Sequence, residues 1–260
     1  MHRGWYQLAF ERELNAGLTP FELDGRALVL VRDAERTRVF DGVCPHRGAR
    51  LAGGTRVGET IVCPFHAYPI GLGTTEAASG LCVREYATRI VGGMLFVREP
   101  DGIDAGFEDA LGALDAHHAI VPGFTRVTRA RAELVVENAF DSAHFAPVHG
   151  VRNIPRFEVV DDPGGAFAVR GTLEVPVTPW QTGKPGAGGT IAVPFLARAF
   201  SPTLVLTELG GERPYAMLTA THDASPETAP APASVVRLSL AFPTSHDRPS
   251  RDDVRYMLAA

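Results

Sequence analysis

Cys44-Pro45-His46-Arg47-Gly48-Ala49-Arg50-Leu51 and, with sixteen residues between His46 and Cys63, Cys63-Pro64-Phe65-His66 decide how this chain is read. Each short stretch offers one thiolate and one imidazole. Two cysteines and two histidines can hold a structural zinc tetrahedrally, but the usual zinc patterns pair Cys with Cys and His with His. One of each per loop suits a [2Fe–2S] cluster in which Cys44 and Cys63 bind one iron and His46 and His66 the other. The plainest alternative, core cysteines and surface histidines, needs four residues to fall at this spacing by accident. Because imidazoles replace two anionic thiolates, such a cluster has a higher potential than an all-cysteine one and can accept electrons from a ferredoxin-type donor.

A second donor set follows in Glu137-Asn138-Ala139-Phe140-Asp141-Ser142-Ala143-His144, with His149 five residues on. Two histidines and a carboxylate on one side of Fe(II) leave positions open for O2 and substrate. Residues five apart on an ideal helix are separated by about 140° around the axis and about 7.5 Å along it, so His144 and His149 do not share a face. Pro147 lies between them, and a proline inside a helix kinks or ends it, which lets His149 swing toward a metal. Asp141, three residues before His144, is placed to bond an imidazole nitrogen through its carboxylate. Taken alone it reads as an exposed helix aspartate.

The two loops and the pattern Asn-x-x-Asp-x-x-His-x-x-x-x-His resemble, in the same order, the Rieske non-haem iron oxygenases, the ring-hydroxylating, steroid-hydroxylating and O-demethylating oxygenase components. The likeness extends from Trp5 and Tyr6 through Ala27-Leu28-Val29-Leu30-Val31-Arg32-Asp33 to Gly93-Met94-Leu95-Phe96-Val97. One departure is Ala67-Tyr68, where the family usually has Gly-Trp. The resemblance implies an α+β chain: an all-β Rieske domain over 1–103, then a helix-grip-like antiparallel-sheet catalytic domain over 104–260, short for the family. It implies a [2Fe–2S] cluster and a mononuclear Fe(II) held by His144, His149 and a later aspartate. Asp253, opening Asp253-Val254-Arg255-Tyr256-Met257-Leu258, fits that form, with Asp252 and Asp247 as alternatives; Asp252 and Asp253 also read as helix-starting acids after Ser250. Asn138 falls near the iron in the motif. Asp141 would link His144 to the cluster ligand His66 of a neighbouring subunit, which implies a homotrimer. The implied activity uses O2 and electrons from an NAD(P)H-dependent reductase, directly or through a ferredoxin, to hydroxylate, demethylate or desaturate a hydrophobic small molecule. An electron-transfer Rieske protein with a non-catalytic second domain, and a zinc-stabilised binding module, remain as alternatives.

Composition agrees with this. The chain has 260 residues, 45% hydrophobic, enough for two modest cores. A net charge of −5 gives no basic footprint for nucleic acid. No apolar run approaches the ~18 residues that span a bilayer, and Arg3, Glu11, Arg12 and Glu13 stand where a signal peptide needs apolar residues, so a cytoplasmic location is expected. The chain has no Gly-rich dinucleotide fingerprint, so reductase chemistry must come from elsewhere. Of the 3 cysteines, only Cys82 is left over, and it reads as a small buried residue.

Residues 5–99 read as mainly β, with apolar runs at Leu28–Val31, Thr60–Val62 and Met94–Val97 between glycine-rich turns. Phe107–Ala119 has helical spacing, and Ala132–His144 is expected to be one helix. Strands are expected at Phe157–Val160, Phe167–Leu173, Leu204–Leu209, Ala216–His222 and Val235–Phe242. Gly183–Gly189 reads as a loop at a pocket mouth, and Ser225–Ser234 as a solvent-facing connection. Trp180, Phe195 and Phe200 are candidates for an apolar pocket, with core packing as the plainer role. His222 and His246 read as surface or strand-end residues.

Overall fold

The computed structural model describes residues 2–177, 189–225 and 228–259. The chain divides into two compact units, one of residues 1–103 with 223–231, the other of 104–222 with 232–260. The segment read as a solvent-facing connection thus groups for the most part with the first unit, where the Asp223 N–H donates to Asp24 Oδ1 at 3.2 Å.

The first unit is all β apart from short 3-10 turns. Its strands are β1 (Tyr6–Phe10), β2 (Gly17–Leu23), β3 (Arg26–Arg32), β4 (Thr37–Asp41), β5 (Thr55–Val57), β6 (Thr60–Val62), β7 (Pro69–Leu72), β8 (Cys82–Val83), β9 (Glu85–Val91) and β10 (Met94–Arg98). They form a six-stranded sheet, β1-β10-β9-β4-β3-β2, and a four-stranded one, β5-β6-β7-β8. Strand β3 is apolar throughout its centre because both of its faces are covered. Leu28 and Leu30 pack with Tyr6, Leu8, Val39, Tyr86 and Leu95, whereas Val29 and Val31 join Phe40, Leu51, Ile61, Ile70 and Leu72 between the sheets. The period of two along a strand produces this division. Cys44 and Cys63, each 2% exposed, sit in that second core, just after β4 and β6. Gly42 lets the chain leave β4 toward the first cysteine: a Cβ there would lie 2.6 Å from the Leu28 carbonyl carbon.

The second unit contains α1 (Phe107–His117), β11 (His118–Thr128), α2 (Ala132–Glu137), α3 (Phe145–His149), β12 (Glu158–Val160), β13 (Phe167–Pro176), β14 (Thr190–Ser201), β15 (Leu204–Leu209), β16 (Tyr215–Asp223), β17 (Ser234–Pro243) and α4 (Arg251–Ala259). The strands form a seven-stranded sheet, β11-β17-β16-β15-β14-β13-β12, antiparallel in every pairing with a known register. The pairs Phe195↔Leu209, Ala197↔Thr207, Thr207↔Met217 and Leu209↔Tyr215 put these side chains on one face. Val136 of α2 and Phe145 of α3 pack on that face at Phe195, Ala197 and Val205. Val254, Met257 and Leu258 of α4 pack beside Tyr215, Met217, Leu240 and Phe242. Helices from two parts of the chain therefore cover one face of a single sheet, which is the helix-grip arrangement.

Several details differ from the expectations above. Helix α1 stops at His117, and β11 follows where no strand was expected; β14 was also unforeseen. The helix expected over Ala132–His144 is broken: α2 ends at Glu137, residues 138–144 form turns, and α3 is a separate five-residue helix. The Asp141 carboxylate accepts the Ala143 N–H at 2.9 Å, and a local side-chain bond of this kind favours a turn over helix. Pro147 lies in the first turn of α3, where its missing N–H costs nothing. Cys82 is exposed, because the two-residue β8 turns Val83 inward instead. His222 is buried at 6% exposure, its Nε2 3.1 Å from Arg237 Nη1. Trp180 and residues 183–188 lie outside the described residues. Among the described residues no helix is long and apolar enough to cross a membrane.

Candidate metal centres

The two cysteine-histidine loops fold alike. The Cys44 carbonyl accepts the Gly48 N–H at 2.9 Å, and its own N–H donates to the Ala49 carbonyl at 2.8 Å. In the second loop the Cys63 carbonyl accepts the Ala67 N–H at 3.0 Å, and its N–H donates to the Tyr68 carbonyl at 2.9 Å. The fourth residue after each cysteine has positive φ, Gly48 at 78° and Ala67 at 56°. Two equal turns thus present Cys44 with His46 and Cys63 with His66.

This geometry fits a [2Fe–2S] cluster. The His46 and His66 rings stand 4.8 Å apart between centroids, and the Nδ1 atom of each is buried with no hydrogen-bond partner. Buried ring nitrogens of this kind are costly unless something accepts their lone pairs, and an iron does. Desolvation, then the neighbouring His66 ring and Arg47, hold His46 below the ordinary imidazole range, in its neutral, ligating form. Burial pushes the Cys63 thiol up, but the Phe65 and His66 backbone N–H groups and the Cys44 thiol outweigh it and favour the thiolate. A tetrahedral zinc would draw four donors to bonds of about 2.0–2.3 Å around one point. Among the described residues no three His, Cys, Asp or Glu side chains gather closely enough to hold one ion, whereas a two-iron cluster asks each iron to take only two.

The second donor set is partly assembled. His144 ends the turn after α2 and His149 ends α3, with ring centroids 5.1 Å apart at 80°. His144 Nδ1 lies 2.6 Å from the Asp141 carbonyl oxygen. A carbonyl only accepts, so Nδ1 carries the proton and Nε2 keeps its lone pair for a metal. This corrects the expected bond, because Asp141 steadies His144 through its main chain. Its carboxylate instead accepts the Ala143 N–H at 2.9 Å and faces solvent. Beside it is an open hollow of about 410 Å³ with Val136, Phe140 and Phe167 in its walls. Asn138 is exposed and caps α2, its N–H donating to the Leu134 carbonyl at 3.3 Å.

Asp253 does not join the histidines here. Its Oδ2 accepts from the Ser250 N–H at 3.0 Å and hydroxyl at 2.6 Å, and the Ser250 hydroxyl accepts the Asp253 N–H at 3.2 Å. That is a reciprocal cap on α4. Asp252 is exposed and lies 3.9 Å from Arg255. Below the histidines, Phe145 packs against Phe157 and Phe195, at centroid distances of 5.6 and 5.5 Å. Phe195 and Phe200 are both core residues, 4% exposed, and Val148 is 62% exposed.

The sequence pattern of the Rieske [2Fe-2S] domain matches residues 4–84. The probable 3-ketosteroid-9-alpha-monooxygenase oxygenase component of Rhodococcus rhodochrous is 31% identical over 172 residues, 56% of this chain and 41% of that relative. The chain thus spans well under two thirds of that protein's length. Among solved structures, dicamba monooxygenase bound to 3,6-dichlorosalicylic acid superposes with a TM-score of 0.68 at 17% identity, covering 98% of this chain and 82% of that one. The oxygenase in the reduced oxygenase–ferredoxin complex of carbazole 1,9a-dioxygenase gives 0.66 at 16% identity, covering 98% and 74%. Residues 4–84 are thus a Rieske [2Fe–2S] domain, carried in a chain that is related to Rieske oxygenase components and has their fold.

Proposed function

We propose that this chain acts as the terminal oxygenase component of a Rieske non-haem iron system, using O2 and reductase-delivered electrons to hydroxylate, demethylate or desaturate a hydrophobic small molecule. The observation that carries this reading is the His144–His149 pair, with His144 Nε2 left free by the Asp141 carbonyl. An electron carrier has no use for it.

When bound, the cluster supplies one-electron transfer and a mononuclear Fe(II) supplies O2 activation. Cys44 and Cys63 would hold one cluster iron, and His46 and His66 the other. His144 and His149 would hold the mononuclear iron. Asp253 would complete that set in place of its cap on Ser250, a cap worth about 1 kcal/mol, small against a metal bond. The apolar walls of the hollow at Val136, Phe140 and Phe167 support a hydrophobic substrate, as do the ketosteroid and carbazole in the names of the relatives. Electrons would come from an NAD(P)H-dependent reductase, directly or through a ferredoxin, as the partner in the carbazole complex suggests. In a homotrimer, the exposed Asp141 carboxylate would meet His66 of the partner subunit and carry electrons between subunits.

One observation favours a second reading, a Rieske electron carrier: no carboxylate stands with His144 and His149 among the described residues. Metal analysis of anaerobically purified His144→Ala separates the two. The oxygenase reading expects the wild type to hold one iron more than the variant, with equal sulfide. Equal iron in both would leave the electron carrier.

A further inference from the structure

We infer that Tyr68 is a positioning residue for the cluster, an aromatic lid over the His46 edge that keeps water from the histidine-bound iron. Although the two loops fold alike, their fifth residues after the cysteine differ: the first has Ala49 and the second has Tyr68. Only the second can cover anything. The Tyr68 ring lies 4.7 Å from His46 and 6.3 Å from His66 between centroids, so one side chain touches both imidazoles. Backbone geometry forces it there. Ala67 adopts φ 56°, a region an L residue enters at a cost of about 1–2 kcal/mol, and the bond from the Cys63 N–H to the Tyr68 carbonyl folds the chain back over the loop. At 43% exposure, more than half of the residue is covered while the rest meets solvent, as a lid requires. Phe65, 4.2 Å from His66 but 65% exposed, covers the other imidazole less completely.

The consequence is electrostatic. A [2Fe–2S] core held by two thiolates and two neutral imidazoles is uncharged when oxidised and gains one negative charge on reduction. Water stabilises that charge, so solvent exposure is one of the settings of the potential. Excluding water at His46 should hold the potential down and slow the escape of iron.

The inference rests on the cluster alone and needs no oxygenase activity. Tyr68→Phe, Tyr68→Leu and Tyr68→Ala would be compared for iron and sulfide content, midpoint potential and the rate at which ferrozine strips iron from the reduced protein. The expected result is a wild-type potential and stripping rate for Phe, with a more positive potential and stripping several-fold faster for Ala. Should Ala fail to load iron, Leu, which keeps bulk without the ring, is expected to show the same shifts in smaller degree. Wild-type values in every variant that loads iron would overturn the inference. A Phe variant as altered as Ala would overturn it too, since the hydroxyl and not the ring would then be the agent. Wild-type protein lacking sulfide would instead refute the cluster itself.

Discussion

Ala67 sits where the matching residue of the first loop is a glycine, and its φ of 56° carries a cost that Gly48 avoids at 78°. Ala67→Gly relieves that strain, offset in part by the greater freedom of glycine in the unfolded chain, for a net gain of about 1 kcal/mol. The expected readout is a higher melting temperature of the iron-loaded protein; an unchanged or lower one would show that the loop is unstrained. Asp141 offers a second test. Asp141→Asn preserves the main-chain carbonyl that holds His144, so iron content should stay at the wild-type value. If its carboxylate links subunits, turnover should still fall by roughly 10- to 100-fold, and normal turnover with full iron would remove that role. The two loops that bring the rings of His46 and His66 together were legible in the sequence because the identity and spacing of Cys44, His46, Cys63 and His66 mark them. The grip on His144 was not, because a backbone carbonyl is present at every position and leaves no mark in the residue pattern.

Legibility of the elements followed the alternation of apolar residues and failed at prolines. Strand Leu204–Leu209 was read to the residue, whereas β11 and β14 were missed because Pro122-Gly123 and Pro194 look like turns. The sheet tolerates both. Strand β11 lies at the edge, with a bulge between Pro122 and Phe124. Pro194 faces the end of β15, where only its carbonyl is needed, accepting the Gly210 N–H at 2.8 Å. Gly42 is the tightest constraint at the exit of β4 toward the cluster. Gly42→Ala would press a methyl into the Leu28 backbone and should cost about 2 kcal/mol, seen as a lower denaturation midpoint; an unchanged midpoint would mean that β3 and β4 can part without loss. Helix α4 provides the test of the third ligand. Asn can still cap Ser250, so Asp253→Asn should change stability by less than about 1 kcal/mol while losing the mononuclear iron. Full iron in that variant, with loss in Asp252→Asn or Asp247→Asn, would move the ligand to one of those residues.

At the scale of the whole molecule, a β unit builds a cluster cradle from two matching loops, and a sheet covered on one face by α2, α3 and α4 carries a pair of imidazoles. The order of the two donor sets made that plan readable from the chain alone. What was hidden is the break between α2 and α3, where the Asp141 carboxylate takes the Ala143 N–H and competes with helical bonds. The central claim is that one chain holds both a cluster and a separate iron. The direct test is iron and labile-sulfide counting on anaerobically purified protein, with electron paramagnetic resonance of the dithionite-reduced sample. Three irons and two sulfides per chain, with the signal of a histidine-ligated [2Fe–2S] cluster, are the predicted result; a colourless zinc protein without sulfide, or a cluster with no third iron, would contradict it.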